Sequence, residues 1–157
     1  MLMKIEFTED ATQIVALWHR VFGDDEDYIR FFLDNCRHKR CVGAFVGERL
    51  VSMLFLLDCT YNGQQGAYVY AVATHPDYRK QGFMQKCIDY SQALDYDFLC
   101  LVPAEAYLFD VYANSVFSPC CLVPPCRHSW MTAGKRWGHR CILTAAVLDA
   151  ERLRWNW

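Results

Sequence analysis

The chain has 157 residues, of which 54% are apolar, and its formal net charge is 16 minus 18, or −2. This length is close to the usual size of one domain, so we expect a single domain over residues 1–157. The balanced and scattered charges exclude a nucleic-acid-binding footprint, and no apolar run approaches the ~18 residues that cross a bilayer. Neither nucleic acid nor a membrane is therefore expected as a partner.

Nine of the residues are cysteines, and the first residues include Lys4 and Glu6 where a secretory segment would be apolar. We therefore expect a cytoplasmic protein in which most cysteines are buried thiols. Thiols and imidazoles, which can bind zinc, crowd the C-terminal third at Cys120, Cys121, Cys126, His128, His139 and Cys141. Because their spacing lacks the paired C-x2-C framework of structural zinc sites, we expect no metal, and zinc stays an alternative.

The first part of the chain predicts one strand followed by two helices. Residues 1–7 predict a short strand, and apolar residues recur at helical spacing between Ile14 and Phe22. Gly23 ends this helix, and Asp24 or Asp25 can cap a second one. The aromatic residues of the second helix are Tyr28, Phe31 and Phe32. The apolar stripe of the first helix is interpreted as core, not as a cofactor site.

A three-strand meander is predicted next. Its strands cover residues 41–46, 50–61 and 67–74, with turns at 47–49 and 62–63. Residues 98–102 then predict a short buried strand, and residues 105–115 predict a helix. Beyond them Pro119, Pro124 and Pro125 break the pattern, and a turn at 134–138 separates two further strands.

The most informative segment joins the last strand of this meander to a helix. It reads Val72-Ala73-Thr74, then a Pro-Asp turn, then Arg79-Lys80-Gln81-Gly82-Phe83-Met84. A helix N-terminus suits phosphate, because it offers N–H groups without an intrahelical partner and the positive end of the macrodipole. Gly82 lets the backbone approach a ligand, while Arg79 and Lys80 add positive charge. The order predicts a pyrophosphate site.

The segment from Arg79 to Met84 resembles the acyl-CoA-binding motif of the GCN5-related N-acetyltransferases, the GNAT family, which reads Gln/Arg-x-x-Gly-x-Gly/Ala. Met84 replaces the small sixth residue, so its side chain must point away from the phosphates or reshape the turn. The resemblance implies an α+β fold: a single GNAT-like domain with a mixed, mostly antiparallel, twisted sheet flanked by helices. It also implies that acetyl-CoA is the cosubstrate and that it is held by Val72, Ala73, Thr74, Arg79, Lys80, Gln81, Gly82, Phe83 and Met84.

A second match, from Leu108 to Phe117, resembles the family's Leu/Phe-x-x-Tyr-x-x-x-Gly-Phe segment, with Val116 in place of Gly. The tyrosine of that segment often protonates the leaving thiolate, so the resemblance implies that Tyr112 is the catalytic general acid. A phenol with a pKa of about 10 is protonated at neutral pH and can donate to a thiolate. The alternative is that Tyr112 is one more core aromatic. Within the family, the sequences of this helix and of residues 71–76 most resemble the branch that includes the N-terminal lobe of the aminoglycoside-modifying Eis-type enzymes.

The resemblance implies direct transfer of the acetyl group to an amine of a small molecule or peptide. In the family, the pantetheine arm lies along the last meander strand, where the N–H of Ala73 can polarise the thioester carbonyl. Many members use a Glu on or near this strand as the base, but here the strand offers Tyr68 and Tyr70 and no carboxylate. Glu105 and His75 are weak candidates, each otherwise interpreted as a cap or a surface residue.

Two other classes of function stay open. One is a non-catalytic acyl-CoA-binding or regulatory module with the same fold, favoured by Met84, by Val116 and by the missing base. The other is a zinc or protein-interaction domain. Trp155 and Trp157 near the C-terminus are suited to docking on a partner subunit, including that of a homodimer.

Overall fold

The computed structural model describes residues 2–61 and 63–101, together with the backbone of residues 117–123, 126–132 and 154–155. Its strands are β1 Met3–Thr8, β2 Lys39–Val46, β3 Arg49–Tyr61, β4 Gln64–Thr74, β5 Phe98–Leu101, β6 Phe117–Val123, β7 Cys126–Thr132 and β8 Arg154–Trp155. Its helices are α1 Ala11–Phe22, α2 Glu26–Asn35 and α3 Phe83–Gln92, and a 3₁₀ turn covers Pro76–Tyr78.

Local sequence signals set the bounds of the first two helices. The Asp10 carboxylate accepts a hydrogen bond from the Gln13 N–H at 3.1 Å and so caps α1. Gly23 ends α1 with a φ of 74°, which glycine adopts at low cost. Asp25 precedes α2 but forms no side-chain cap. The neighbouring Asp24 carboxylate instead accepts from Trp18 Nε1 at 2.7 Å.

The chain divides into two compact units, and strands β3 and β4 run through both. In the first unit the strand order is β1-β2-β3-β4, and the β1–β2 and β2–β3 pairs are antiparallel. In the second unit the order is β4-β5-β7-β6, with β4 and β5 parallel and β8 beside β3. These mixed, mostly antiparallel strands with accompanying helices confirm the predicted α+β class. The single domain over residues 1–157 stays a prediction.

Helices cover both faces of the sheet in the first unit. Trp18 of α1 packs on Phe55 of β3, with ring centroids 5.7 Å apart. Cys87 of α3 contacts Ser52, three residues earlier in β3. Because successive strand residues point to opposite faces, α1 and α3 lie on opposite sides. Both sides are closely packed, since Trp18, Phe55, Ser52 and Cys87 are each no more than 1% exposed.

The meander, the three helices described and the strand near residue 98 confirm the corresponding sequence predictions. The interpretation of Pro119 as a breaker was wrong. Pro119 lies within β6, opposite Trp130, beside a register irregularity. β6 is the last strand of its path, and a proline is tolerated on an edge strand or at a bulge because its missing N–H interrupts no ladder there. The helix at 105–115 and the turn at 134–138 lie outside the described residues.

Two further expectations concern cysteines and membranes. Five cysteines have described side chains, and each is buried and forms no disulfide: Cys36, Cys41, Cys59, Cys87 and Cys100. Across residues 2–61 and 63–101 no helix is long and apolar enough to cross a membrane. The longest described helix, α1, has 12 residues, whereas a bilayer requires about 20.

Candidate active site

The predicted order of strand, turn, basic loop and helix is present. β4 ends at Thr74, the 3₁₀ turn follows, and α3 begins at Phe83. The Lys86 N–H donates to the Gly82 carbonyl at 3.1 Å, which makes Gly82 the N-cap of α3. Because glycine has no side chain with which to cap, the first turn of this helix is open to an external acceptor. We call residues 79–82 the anion loop.

Two residues of the anion loop have a positive φ. Lys80 has a φ of 60° and Gly82 one of 81°, whereas Arg79 has an extended backbone with a φ of −67° and a ψ of 156°. The loop leads directly into the N-terminus of α3, where an anion can bind. A Cβ built on Gly82 meets nothing within 4 Å, so the requirement for glycine comes from its φ and not from crowding by the protein.

The polar side chains of the loop are anchored to the elements before it. Arg79 Nε donates to the Thr74 carbonyl at 3.3 Å, and Gln81 Nε2 donates to the Asp77 carbonyl at 3.1 Å. Lys80 is exposed, and its φ of 60° is costly for a residue with a Cβ. A strained, positively charged residue in a solvent-facing loop is typical of a binding site, where the strain serves a ligand.

The two residues after the loop differ in their surroundings. Phe83 is 8% exposed, and its ring packs edge-on against Tyr78 with centroids 5.9 Å apart. Met84, the residue that departs from the motif, is half-buried on α3. The packing of Phe83 against Tyr78 therefore fixes the start of α3.

The strand residues predicted to hold the cofactor lie beyond the part of β4 that pairs with β5. β5 pairs with β4 at Gly66, Ala67 and Tyr68, whereas β4 continues to Thr74. Among the described strands no further partner adjoins that edge of β4. Ala71 has a φ of 50°, a rare value for a residue with a Cβ and one that marks an irregularity in the strand.

A buried serine supports the end of this strand from the neighbouring one. Ser52 Oγ lies 3.1 Å from the Ala73 carbonyl oxygen and 2.8 Å from Thr74 Oγ1. Ser52 is fully buried and Ala73 is 1% exposed. Hydrogen bonds inside the protein are worth most when the groups are shielded from water, so this contact fixes the strand immediately before the turn.

His75, a weak candidate for the base, is engaged within the protein. It is 6% exposed, its Nδ1 is 3.2 Å from the Asp77 N–H donor, and its Nε2 is 3.1 Å from Arg49 Nη2. Burial and the neighbouring Arg49 guanidinium lower the pKa of His75, although the Asp77 carboxylate opposes them. The ring is therefore neutral at neutral pH, but both its nitrogens face protein donors, which leaves none for a substrate.

The sequence did not predict that four aromatic rings would meet beside β4. The ring of Trp18 lies 5.3 Å from Phe32, 5.7 Å from Phe55 and 5.7 Å from Tyr70, measured between centroids. We call Trp18, Phe32, Phe55 and Tyr70 the aromatic cluster. Tyr28 OH lies 3.4 Å from Tyr70 OH at its exposed end. Helical spacing placed Trp18 in the core, but no sequence signal joined it to Tyr70.

Several predictions fall on residues outside the described side chains. Tyr112, Glu105 and the C-terminal group of cysteines and histidines are among them, so the roles assigned to them stay predictions, as does a homodimer. Within residues 2–61 and 63–101, no three His, Cys, Asp or Glu side chains come together in a way that could hold a metal ion.

Comparison with known proteins identifies the family. The Acetyltransferase (GNAT) domain family matches residues 5–113, whereas no curated protein matches the chain. A histone acetyltransferase HPA2 and related acetyltransferase from Corynebacterium glutamicum has 13% identity and a TM-score of 0.68, over 85% of this chain and 97% of that one. The GNAT family N-acetyltransferase YhbS from Escherichia coli, solved with CoA, has 16% identity and a TM-score of 0.65, over 83% and 79%.

A third similar structure is longer than this chain. It is a probable N-acyltransferase from Enterococcus faecalis with 15% identity and a TM-score of 0.61, over 77% of this chain. The present chain spans only 33% of that protein. At these low identities the structural similarity supports the fold alone. The family match covers most of the chain and agrees with the anion loop at the end of β4. The chain therefore belongs to the GNAT acetyltransferase family.

Proposed function

We propose that the chain is an acetyl-CoA-dependent N-acetyltransferase that moves the acetyl group to an amine of a small molecule or peptide by direct attack. The observation that carries this proposal is the anion loop: its two positive φ angles, its exposed Lys80 and the open N-terminus of α3 at Gly82. A pyrophosphate has the charge and the acceptor oxygens that such a loop binds.

The extended arm of the cofactor lies along the end of β4 in this proposal. Val72, Ala73 and Thr74 follow the irregularity at Ala71 and lie beyond the segment that pairs with β5. A strand edge can bind an extended group through its backbone, as another strand would. The N–H of Ala73 is then the donor that polarises the thioester carbonyl.

The reaction has a simple atom balance. The neutral amine nitrogen attacks the thioester carbon, a C–N bond forms, and the C–S bond breaks with its electron pair going to sulfur. Tyr112 gives its phenolic proton to the thiolate, and the proton of the attacking amine leaves to water. We assign this role to water because β4 carries no carboxylate and His75 is engaged by Arg49 and Asp77, and Glu105 stays the alternative base.

Cofactor binding is the first test. Calorimetric titration with acetyl-CoA and with CoA should show binding, and a ligand at 100 times its Kd should add about 2.7 kcal/mol to the free energy of unfolding. Absence of both heat and a melting shift with either compound would remove the cofactor assignment.

Turnover separates the proposed enzyme from the runner-up, a non-catalytic acyl-CoA-binding module. Three observations favour the module: Met84 occupies the small sixth position of the motif, Val116 replaces the Gly of the second motif, and β4 has no carboxylate base. Release of free CoA thiol should be followed with spermidine, an aminoglycoside and a lysine-containing peptide. Turnover with any of them supports the enzyme, whereas tight CoA binding without turnover on all three supports the module.

Tyr112→Phe tests the proton donor. Phenylalanine keeps the ring and removes the hydroxyl, so turnover should fall about 10²-fold or more while acetyl-CoA affinity and stability stay close to the parent values. The measurements are kcat, calorimetric Kd and melting temperature. Turnover within a few-fold of the parent would mean that Tyr112 is a core aromatic and that another group protonates the thiolate.

A further inference from the structure

His75 lies where the cofactor strand becomes the turn before the anion loop. The backbone N–H of His75 donates to the Val51 carbonyl at 2.8 Å, and the His75 carbonyl accepts from the Tyr78 N–H at 2.9 Å. The backbone of His75 thus ties the turn to β3. Only 6% of the residue is exposed, although the residues on either side of it face solvent more.

The imidazole of His75 faces two donors but has one lone pair to offer. Asp77 N approaches Nδ1 at 3.2 Å, and Arg49 Nη2 approaches Nε2 at 3.1 Å. A neutral imidazole has one acceptor nitrogen, so the two contacts compete. A charged donor forms the stronger bond, which favours Arg49. The Nδ1–H then faces the Asp77 carboxylate, whose Oδ2 lies 3.7 Å away.

Arg49 also packs on the turn itself. Its guanidinium carbon lies 5.7 Å from the centroid of the Tyr78 ring, within cation–π range. The Tyr78 ring in turn lies 5.7 Å from His75 and 5.9 Å from Phe83, the first residue of α3. One connected group therefore contacts both ends of the anion loop.

The loop between these ends is short and strained. Four residues separate Tyr78 from Phe83, and two of them, Lys80 and Gly82, have positive φ. A loop that is not held in this conformation must be ordered when a ligand binds, and the ordering weakens affinity. Holding Tyr78 and Phe83 in place therefore preorganises the anion loop.

We propose that Arg49 and His75 are positioning residues that hold the anion loop in its CoA-binding conformation through Tyr78, without contacting the cofactor themselves. The inference rests on the proposed function, since it concerns how the cofactor is held. Charged groups around His75 come from several elements: Arg20 of α1, Arg49 of β3, Asp77 of the turn and Arg79 of the loop. The Arg49 guanidinium contacts both the imidazole and the Tyr78 ring, and so joins the two.

The test is a double-mutant cycle read by calorimetric Kd for CoA. Arg49→Ala removes the guanidinium. His75→Asn places a polar side chain that is a favourable cap at the start of the turn, but it is too short to join Arg49. Each variant should bind CoA about tenfold more weakly, as expected for one lost charged hydrogen bond. The double variant should be no weaker than either single one, because both remove the same link.

Matched variants separate positioning from general electrostatics. Arg49→Lys keeps the positive charge but not the planar group that stacks on Tyr78, so it should bind CoA about as weakly as Arg49→Ala. Arg30→Ala removes one positive charge from the exposed face of α2 and should bind CoA as the parent does. Melting temperatures, taken with each Kd, show that every variant is folded at the titration temperature.

Each result has a defined meaning. Additive losses in the double variant, or full rescue by Arg49→Lys, overturn the inference, because Arg49 then acts on the phosphates by its charge. A parent-like Kd for His75→Asn overturns it as well. If the parent protein itself does not bind CoA, the proposed function fails first. If His75→Asn does not fold, the Arg49 variants still test the inference, because Arg49 is exposed and its replacement should not unfold the protein.

Discussion

The anion loop and the aromatic cluster lie in the same compact unit but are stabilised in different ways. The loop is exposed and charged, its side chains are held by single hydrogen bonds, and it contains one strained residue, Lys80. The cluster is built from rings that pack together, with Trp18 and Phe55 each 1% exposed. Burial of large rings stabilises the fold strongly, whereas the loop contributes little to stability and must be shaped by its neighbours.

This difference separates stability from ligand binding. Changes in the aromatic cluster should act mainly on the free energy of unfolding, because its members are packed rings without charge. Changes in the anion loop should act mainly on CoA affinity. The Trp18 indole N–H donates to Asp24, in the connection between α1 and α2, at 2.7 Å, so the cluster also anchors this connection.

The largest expected effect is the loss of Trp18. Trp18→Ala should lower the free energy of unfolding by about 3–5 kcal/mol, because it leaves a cavity among three packed rings. Phe22→Ala on the same helix is the control. Phe22 is 46% exposed, so its loss should cost about 1 kcal/mol or less. Denaturant unfolding measures both.

A milder substitution tests whether the two regions are independent. Trp18→Phe keeps a ring but removes the donor to Asp24, and it should still fold. Its CoA affinity should equal that of the parent, because the anion loop makes its contacts elsewhere. A clear loss of affinity in a folded Trp18→Phe protein would show that the cluster also shapes the cofactor site.

The two regions also differ in how far the sequence predicts them. The anion loop depends on residues that are close in the chain, so the turn, the N-cap and the glycine could be read from one short segment. The aromatic cluster joins residues of α1, α2, β3 and β4. Periodicity shows that Trp18 faces the core, but it does not say which strand that core contains. Such pairings arise only from tertiary packing.

Within the predicted segments, the details that the sequence missed depend on tertiary contacts. The sequence predicts a cap at Asp24 or Asp25, yet Asp24 accepts from Trp18 instead, a contact across six residues that cap preferences do not include. The prediction of a break at Pro119 is wrong because sequence alone does not distinguish an edge strand from a central one. The sequence predicts Arg49 as part of a turn, and only the fold brings it to His75 and Tyr78.

Gly82→Val should have a smaller effect on stability than Trp18→Ala but a specific effect on binding. A β-branched residue is strained at a φ of 81°, and the loop should relax to another conformation, so CoA should bind about tenfold more weakly or worse. Gly23→Val is the matched control. Gly23 has a φ of 74° and, like Gly82, no atom within 4 Å of an added Cβ.

The two glycine variants should therefore lose similar stability, because the strain is similar, while only Gly82→Val loses CoA affinity. Calorimetric Kd and chemical unfolding, measured on both proteins, make the comparison. Equal CoA affinity in folded Gly82→Val and parent proteins would place the phosphates away from the anion loop. Equal loss of affinity in Gly23→Val would mean that general destabilisation, not loop geometry, controls binding.

The smallest effect at neutral pH concerns Cys87, on the buried side of the cofactor region. Burial raises the pKa of Cys87 to about 12, and the Ser52 contact opposes that rise only in part. In the unfolded chain the thiol ionises near its ordinary value of 9.0, whereas the folded one stays protonated. The stability linked to this thiol is therefore fully present below pH 9.0 and is lost as the pH rises toward about 12.

Cys87→Ala isolates this contribution. The difference in unfolding free energy between parent and variant should be constant from neutral pH to about pH 9 and should shrink at about pH 10.5, because only the parent must suppress ionisation of this thiol. Denaturant unfolding across this range measures the difference. Subtraction removes the titration of the other cysteines except Cys41, whose pKa is raised in part by Cys87. A difference that does not shrink would mean that the folded thiol ionises as readily as the unfolded one. The Ser52 hydroxyl beneath Ala73 and Thr74 would then face a more polar environment than the packing around Cys87 indicates.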